Sequence, residues 1–360
     1  MSFNKEQPYN DLPLLLPENN IWETMEIYKK LAEARAALAE LKGRLPVIPN
    51  PLMLINTLVL QEAKDSSTIE NIFTTNDELY KAFSSSGSNV NPSTKEVLRY
   101  REALWSAFAK LKSPTDYSVN LAVEIFKTIT GKDEGIRTVQ VYIGSSDSVV
   151  YTPPGQGNIL IEKLNNWFDA ALNKNSIDPL IKMAMLHYQF EAIHPFTDGN
   201  GRTGRILNVL FLCNQKLIDL PVIYLSKYIL ENKNTYYRLL REVTENGLWK
   251  DWIIYILDAV KETAEFTLDK VNLIYKSYLS TIEKVKTEAP EIYTHELIEV
   301  IYNQPYCKIA ILEEKKIASR NTASKYLRKL EELGILISEQ VGRETLYKNI
   351  ALLKLLSGNS

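Results

Sequence analysis

Residues 194–205 read HPFTDGNGRTGR, and no other stretch of the chain narrows its fold as far. Three glycines within six positions mark a loop running into a helical turn. The apolar run ILNVLFL at 206–212 follows at once and reads as a buried helix. A loop must therefore empty into a helix N-terminus inside the core, where unpaired amides and the helix dipole favour an anion. The polar residues suit one. Gly199, Gly201 and Gly204 let backbone N–H groups approach phosphate oxygens without a Cβ in the way. Arg202 and Arg205 offer planar donor forks, Asp198 can hold a hard divalent cation, and His194 can take a proton from an attacking hydroxyl. A glycine-rich loop alone can be a mere turn. The joint placement of His, Asp, Asn, Gly and Arg in one window favours a nucleotide polyphosphate.

The same residues match every fixed position of H-P-F-x-[D/E]-G-N-G-R-x-x-R, the signature of the Fic family, and the lead-in FEAI at 190–193 resembles that family too. Most of its members are adenylyltransferases, which move AMP from ATP to a hydroxyl side chain of a protein and release pyrophosphate. The resemblance implies His194 as general base, Asp198 as the Mg2+ ligand and Phe196 as a core anchor. It implies that Asn200 and the loop residues Gly199, Gly201, Thr203 and Gly204 hold the α-phosphate. Arg202 and Arg205 would bind the β/γ region.

Far upstream, DSSTIEN at 65–71 resembles the family's inhibitory motif [S/T]-x-x-x-E-[G/N]. The resemblance implies that Glu70 pairs with Arg205 and keeps the γ-phosphate from its productive place, with Ser66 supporting the helix that carries Glu70 and Asn71 its exit. A carboxylate and a phosphate would compete for one guanidinium.

The rest of the chain sets bounds. At 360 residues and 45% hydrophobic content it can bury a proper core across two or three domains. A net charge of −2 argues against a chain dominated by nucleic-acid or membrane electrostatics. Cys213 and Cys307, far apart and in apolar sequence, read as reduced packing residues of a cytoplasmic protein. Three histidines leave no zinc-type cluster, and His187 reads as a core residue. No stretch approaches a membrane span, and no signal-type segment opens the chain.

Periodicity predicts a mainly α-helical chain. Residues 1–19 are Pro/Asn-rich and extended; helices are expected at 22–41, from 52 into the Glu70 segment, and at 77–83, 93–111 and 118–129, with a flexible Ser/Gly connector at 84–88. β-formers at 136–144 and 149–151 spell a hairpin. In the Fic resemblance this is the flap that pins a target segment by main-chain pairing, with Ile143 and Gly144 nearest the nucleotide. The same resemblance places Tyr236 and Tyr237 at the adenine, and tyrosine faces suit a base. A long amphipathic stretch at 248–285 would close the bundle.

Beyond a Thr-Glu-Ala-Pro boundary at 287–290, helices at 294–302 and 307–314 and a third from Ser319 precede a small hairpin around 341–343. This resembles a winged helix-turn-helix, with Arg320, Asn321, Lys325 and Arg328 on the presented face. Residues 291–350 hold nine Lys/Arg and nine Asp/Glu, so protein interaction is favoured over DNA. The expectation is a helical Fic core with a β-hairpin flap (113–286), an N-terminal helical region with an inhibitory helix (1–112) and a C-terminal winged module (290–360). ATP, a hydroxyl-bearing target protein and a second copy of the chain are the expected partners. Hydrolytic removal of AMP at the same site, and DNA binding through the winged module, stand as alternatives.

Overall fold

The computed structural model describes residues 3–17, 21–47, 51–84, 90–145, 148–341 and 344–357. The helices are α1 (Met25–Arg44), α2 (Pro51–Ile69), α3 (Asn76–Ser84), α4 (Pro92–Lys110) and α5 (Val119–Thr130). Strands β1 (Ile143–Ser145) and β2 (Ser148–Tyr151) follow, then α6 (Asn158–Leu172), α7 (Pro179–Ile193), α8 (Asn200–Asn214), α9 (Leu225–Glu231), α10 (Lys233–Asn246) and α11 (Trp249–Glu288). The last part holds α12 (His295–Asn303), β3 (Tyr306–Cys307), α13 (Ile309–Glu314), α14 (Arg320–Glu332), β4 (Leu336–Val341), β5 (Glu344–Asn349) and α15 (Ile350–Ser357). None of the described helices is long and apolar enough to cross a membrane. The chain forms two compact units: residues 1–42, 65–72 and 99–265, and residues 43–64, 73–98 and 266–360.

In the first unit α7 is apolar or buried on almost every side, as a helix surrounded by its own domain must be. It packs against α6 and α8, and α8 against α5. Large rings pack around these helices, and three of them tie a polar edge to a helix carbonyl: Trp167 Nε1 donates to Leu186 O, Trp252 Nε1 to Ala184 O and Tyr117 Oη to Leu207 O. Ser118 caps α5, its side chain accepting from the Leu121 amide, and Gly131 closes that helix at φ 70°.

The expected first strand of the hairpin is a correction. Only Ile143–Ser145 is a strand, paired antiparallel with β2, and residues 136–142 are irregular. The cause is Arg137, 3% exposed, which donates to the carbonyls of Val139, Pro154 and His194. Gln140 Nε2 likewise serves the carbonyls of Val141 and Pro153. Side chains satisfy a backbone that alternation alone assigned to a ladder.

In the second unit three strands lie in the order β3-β5-β4, all antiparallel. The expected helices and hairpin are present, and Arg320, Asn321, Lys325 and Arg328 are exposed on α14. Cys307 lies on β3 rather than on the expected helix, because Tyr306 and Cys307 pair with Lys348 and Tyr347 of β5. Both cysteines are free thiols. The connector residues 85–89 and the hairpin turn at 342–343 lie outside the described residues.

Candidate active site

Helix α7 ends at His194, whose left-handed backbone (φ 49°, ψ 61°) turns the chain sharply out of the helix. The loop that follows staples itself. Asn200 Nδ2 donates to Phe196 O and the Phe196 amide donates back to Asn200 Oδ1, both at 2.9 Å, and Asn200 is 2% exposed. Phe196 is fully buried and stacks on Phe126 at 4.4 Å with rings 2° from parallel. Gly199 (φ 65°) then opens α8, whose first-turn amides at Asn200 and Gly201 precede the first intrahelical acceptor.

His194 is held as a neutral imidazole. Burial, with Arg137 nearby, pulls it down to about 4 against a weak backbone hydrogen bond that acts the other way. That bond joins Nδ1 to Glu191 O at 3.3 Å; a carbonyl only accepts, so Nδ1 carries the hydrogen and Nε2 the lone pair.

Arg205 lies at the heart of the site, 1% exposed. Its Nε donates to Ser66 Oγ (2.8 Å), and Nη2 donates to Ser66 O (2.9 Å) and to Glu70 Oε1 (2.8 Å). Burial disfavours its charge, but Glu70 and other neighbours outweigh that and hold it protonated. Glu70 stands in the turn just past α2, and Asn71 leaves that turn at φ 61°. Lys233 Nζ caps the same turn by donating to Ile69 O at 2.7 Å. A Cβ on Gly201 would collide with Glu70 Oε1 and come within 2.9 Å of Arg205 Nη1. The carboxylate thus lies directly over the first turn of α8, where an anion belongs.

These groups border one cavity of about 520 Å³, lined by Glu70, Ile143, Gly144, Glu191, His194, Gly201, Arg205, Tyr236 and Tyr237 among others. Tyr236 is buried, its hydroxyl 3.0 Å from His187 Nε2, whereas Tyr237 is 43% exposed. His187 stacks on Trp252 and is kept neutral by burial, down to about 3. Asp198, by contrast, is 58% exposed; its Oδ1 accepts from the Gly199 amide at 2.6 Å and lies 3.8 Å from Arg202 Nη2.

Two expected residues have other tasks here, and a third lies apart from the cavity. Gly204 faces Phe190 and Glu191, where a Cβ would meet ring carbon Cδ1 at 3.0 Å, so it serves α7–α8 packing rather than phosphate approach. Thr203 is fully buried and away from the cavity lining. The Asn200 side chain is committed to the loop backbone. Two residues were missed. Arg137 ties loop to flap, and its signal was a charge at an alternating strand position. Glu191 lines the cavity with Oε1 unpaired, and burial raises its carboxyl to about 7, opposed by Arg205 and aided by Glu70.

Three family models match the chain: "Fic/DOC family N-terminal" at residues 28–109, "Fic/DOC family" at 114–212, and "Protein adenylyltransferase SoFic-like, C-terminal domain" at 278–352. The chain is 27% identical over 180 residues to the "Protein adenylyltransferase Fic" of Drosophila grimshawi, covering 48% of this chain and 35% of that one. The Drosophila mojavensis protein of that name is 31% identical over 134 residues, 37% of this chain and 24% of that one. The chain thus spans about a third, or less, of the length of these relatives. In fold it is similar to a Fic family protein from Desulfovibrio desulfuricans G20, at a TM-score of 0.59 and 19% identity over 90% of this chain and 96% of that one. A Fic domain containing signaling protein from Bacteroides thetaiotaomicron gives a TM-score of 0.53 at 17% identity, covering 69% and 97%.

Proposed function

We propose that this chain, which belongs to the Fic/DOC family, is a protein adenylyltransferase that moves AMP from ATP to a Ser, Thr or Tyr hydroxyl and is restrained by its own Glu70. One observation carries the reading. The guanidinium of Arg205 and the first turn of α8, both apt for phosphate, are occupied by the Glu70 carboxylate in the cavity that His194 borders.

With Glu70 withdrawn, the first-turn amides of α8 and Arg205 would receive the phosphates, and Arg202 would add charge beside Asp198. Asn200 acts as a positioning residue that keeps the loop open. The target hydroxyl, held along β1, attacks the α-phosphorus while His194 Nε2 takes its proton. The bond from α-phosphorus to the β-phosphate bridging oxygen breaks and pyrophosphate leaves. Asp198 fits the Mg2+ expected with ATP, since its exposed carboxylate has Oδ2 without a hydrogen bond, and no cluster of three or more ligating residues lies among the described residues. One carboxylate with phosphate oxygens and waters suits that ion, which would neutralise phosphate charge.

Glu70→Gly is expected to add AMP to itself when incubated with ATP and Mg2+, read by intact mass. Adding His194→Ala should cost at least about 100-fold in rate, the usual contribution of a general base. No mass gain in Glu70→Gly would overturn the brake. A second reading is removal of AMP by water, favoured by Glu70 Oε2, which makes no hydrogen bond in a residue lining the cavity. An AMP-bearing target should then lose its label with wild type and keep it with Glu70→Gln.

A further inference from the structure

The cavity wall joins two chemistries. His194, Gly201 and Arg205 bring donors and a base, while Phe3, Val150, Tyr151, Tyr188 and Leu240 bring rings and aliphatic surface. Phe3 comes from a segment with neither helix nor strand, far in sequence from both motifs.

That segment, residues 3–16, is nonetheless firmly attached. The Tyr9 amide donates to Thr152 O at 3.1 Å, and Thr152 Oγ1, fully buried, donates to Lys5 O at 2.7 Å. The Gly155 amide donates to the Asn10 side chain at 2.8 Å. Leu15 exchanges two bonds of 2.7 Å with the Asn166 side chain, and Gln189 Nε2 donates to Pro13 O at 2.6 Å. The strap is therefore bonded to the chain just past β2, to α6 and to α7.

Phe3 is placed by rings as well. It stacks on Tyr151 at 5.9 Å with planes 16° apart and meets Tyr9 edge-on at 5.3 Å. Tyr151 is itself fixed, its hydroxyl donating to Ala192 O at 2.9 Å. A phenyl ring that extends a stacked aromatic wall along a cavity of about 520 Å³ has the shape and polarizability to meet a flat base.

We propose that Phe3, carried by the strap of residues 3–16, contacts the nucleobase and sets the affinity of the site for ATP; this rests on the nucleotide reading above. The test uses the full chain with Glu70→Gly, alone and combined with Phe3→Ala or Phe3→Trp. Calorimetry measures Kd for ATP and for inorganic triphosphate, which has no base, and self-modification gives kcat and KM.

Phe3→Ala should raise Kd and KM for ATP roughly ten-fold, the scale of one lost base–aromatic stack. It should leave triphosphate affinity and kcat unchanged, and Phe3→Trp should restore ATP binding. Equal ATP affinity in the Phe3→Ala and parent proteins overturns the proposal while the nucleotide reading stands. A matched loss for ATP and triphosphate also overturns it, since Phe3 would then only be holding the wall. If Glu70→Gly binds no ATP, both fall together.

Discussion

The loop at 194–200 and the described flap residues, 136–145 and 148–151, border the same cavity but are held in different ways. The loop is stapled chiefly from within: the Asn200 side chain grips Phe196 from four residues away, and Asp198 accepts from the amide next to it, while Arg137 and Glu134 reach it from outside. The flap is held by others. Arg137 reaches forward to Pro154 and on to His194, Gln140 reaches Pro153, and the strap reaches Thr152 from the first dozen residues. The loop's staples set its own shape, and what joins it to the flap is Arg137, which donates to the carbonyls of His194 and Pro195. A flap hung on distant partners is open to influence from each of them.

The sharpest way to break this contrast is Asn200→Ala in the Glu70→Gly protein. Both staples vanish, and a misplacement of about 1 Å at such a loop costs on the order of 100-fold in rate. Label transfer followed by intact mass should show that fall; activity within ten-fold of the parent would mean that the loop is held from outside after all.

Arg137→Ala comes next, because it leaves buried carbonyls of both regions without a donor. The expected loss is about 3 kcal/mol in urea unfolding, typical of removing a buried charged hydrogen-bond donor. A loss under about 1 kcal/mol would mean that water or other donors replace it.

A pH profile sharpens the loop side. With the His194 imidazole lowered to about 4, the base stays neutral, and transfer by Glu70→Gly should stay level from pH 8 to about 5 and decline only as pH falls through about 4. A decline centred near 6.5 would mean an exposed, ordinary imidazole. The smallest effect belongs to the flap: Thr152→Val removes one bond to the strap and should cost about 1 kcal/mol.

The same contrast explains what the sequence could reveal. Several helix positions were legible because their ends are marked locally, as by Ser118 and Thr294, whose side chains accept from the amides three residues on. The loop was legible because its chemistry is packed into a dozen residues, and Glu70 lies on Arg205 as its motif implied. Features set by distant partners were not. Arg137 gave no hint of its carbonyls, Gly204 looked like a phosphate glycine until Phe190 was seen against it, and Cys307 needed Tyr347 to become a strand residue. Helices α6, α9 and α10 were not foreseen, nor was α15, although Asn349 Oδ1 caps it through the Leu352 amide. Phe3 was read only as part of an extended segment.

Glu70 is covalently part of the molecule whose arginine it occupies. On the proposed reading, incoming ATP faces a tethered competitor whose effective concentration is set by the chain itself and not by how much protein is present. Dilution would leave the restraint intact, whereas a rise in ATP would erode it gradually. The contact between Glu70 and Arg205 would then work as a graded restraint, its midpoint set by how tightly Ser66 and Lys233 hold the turn.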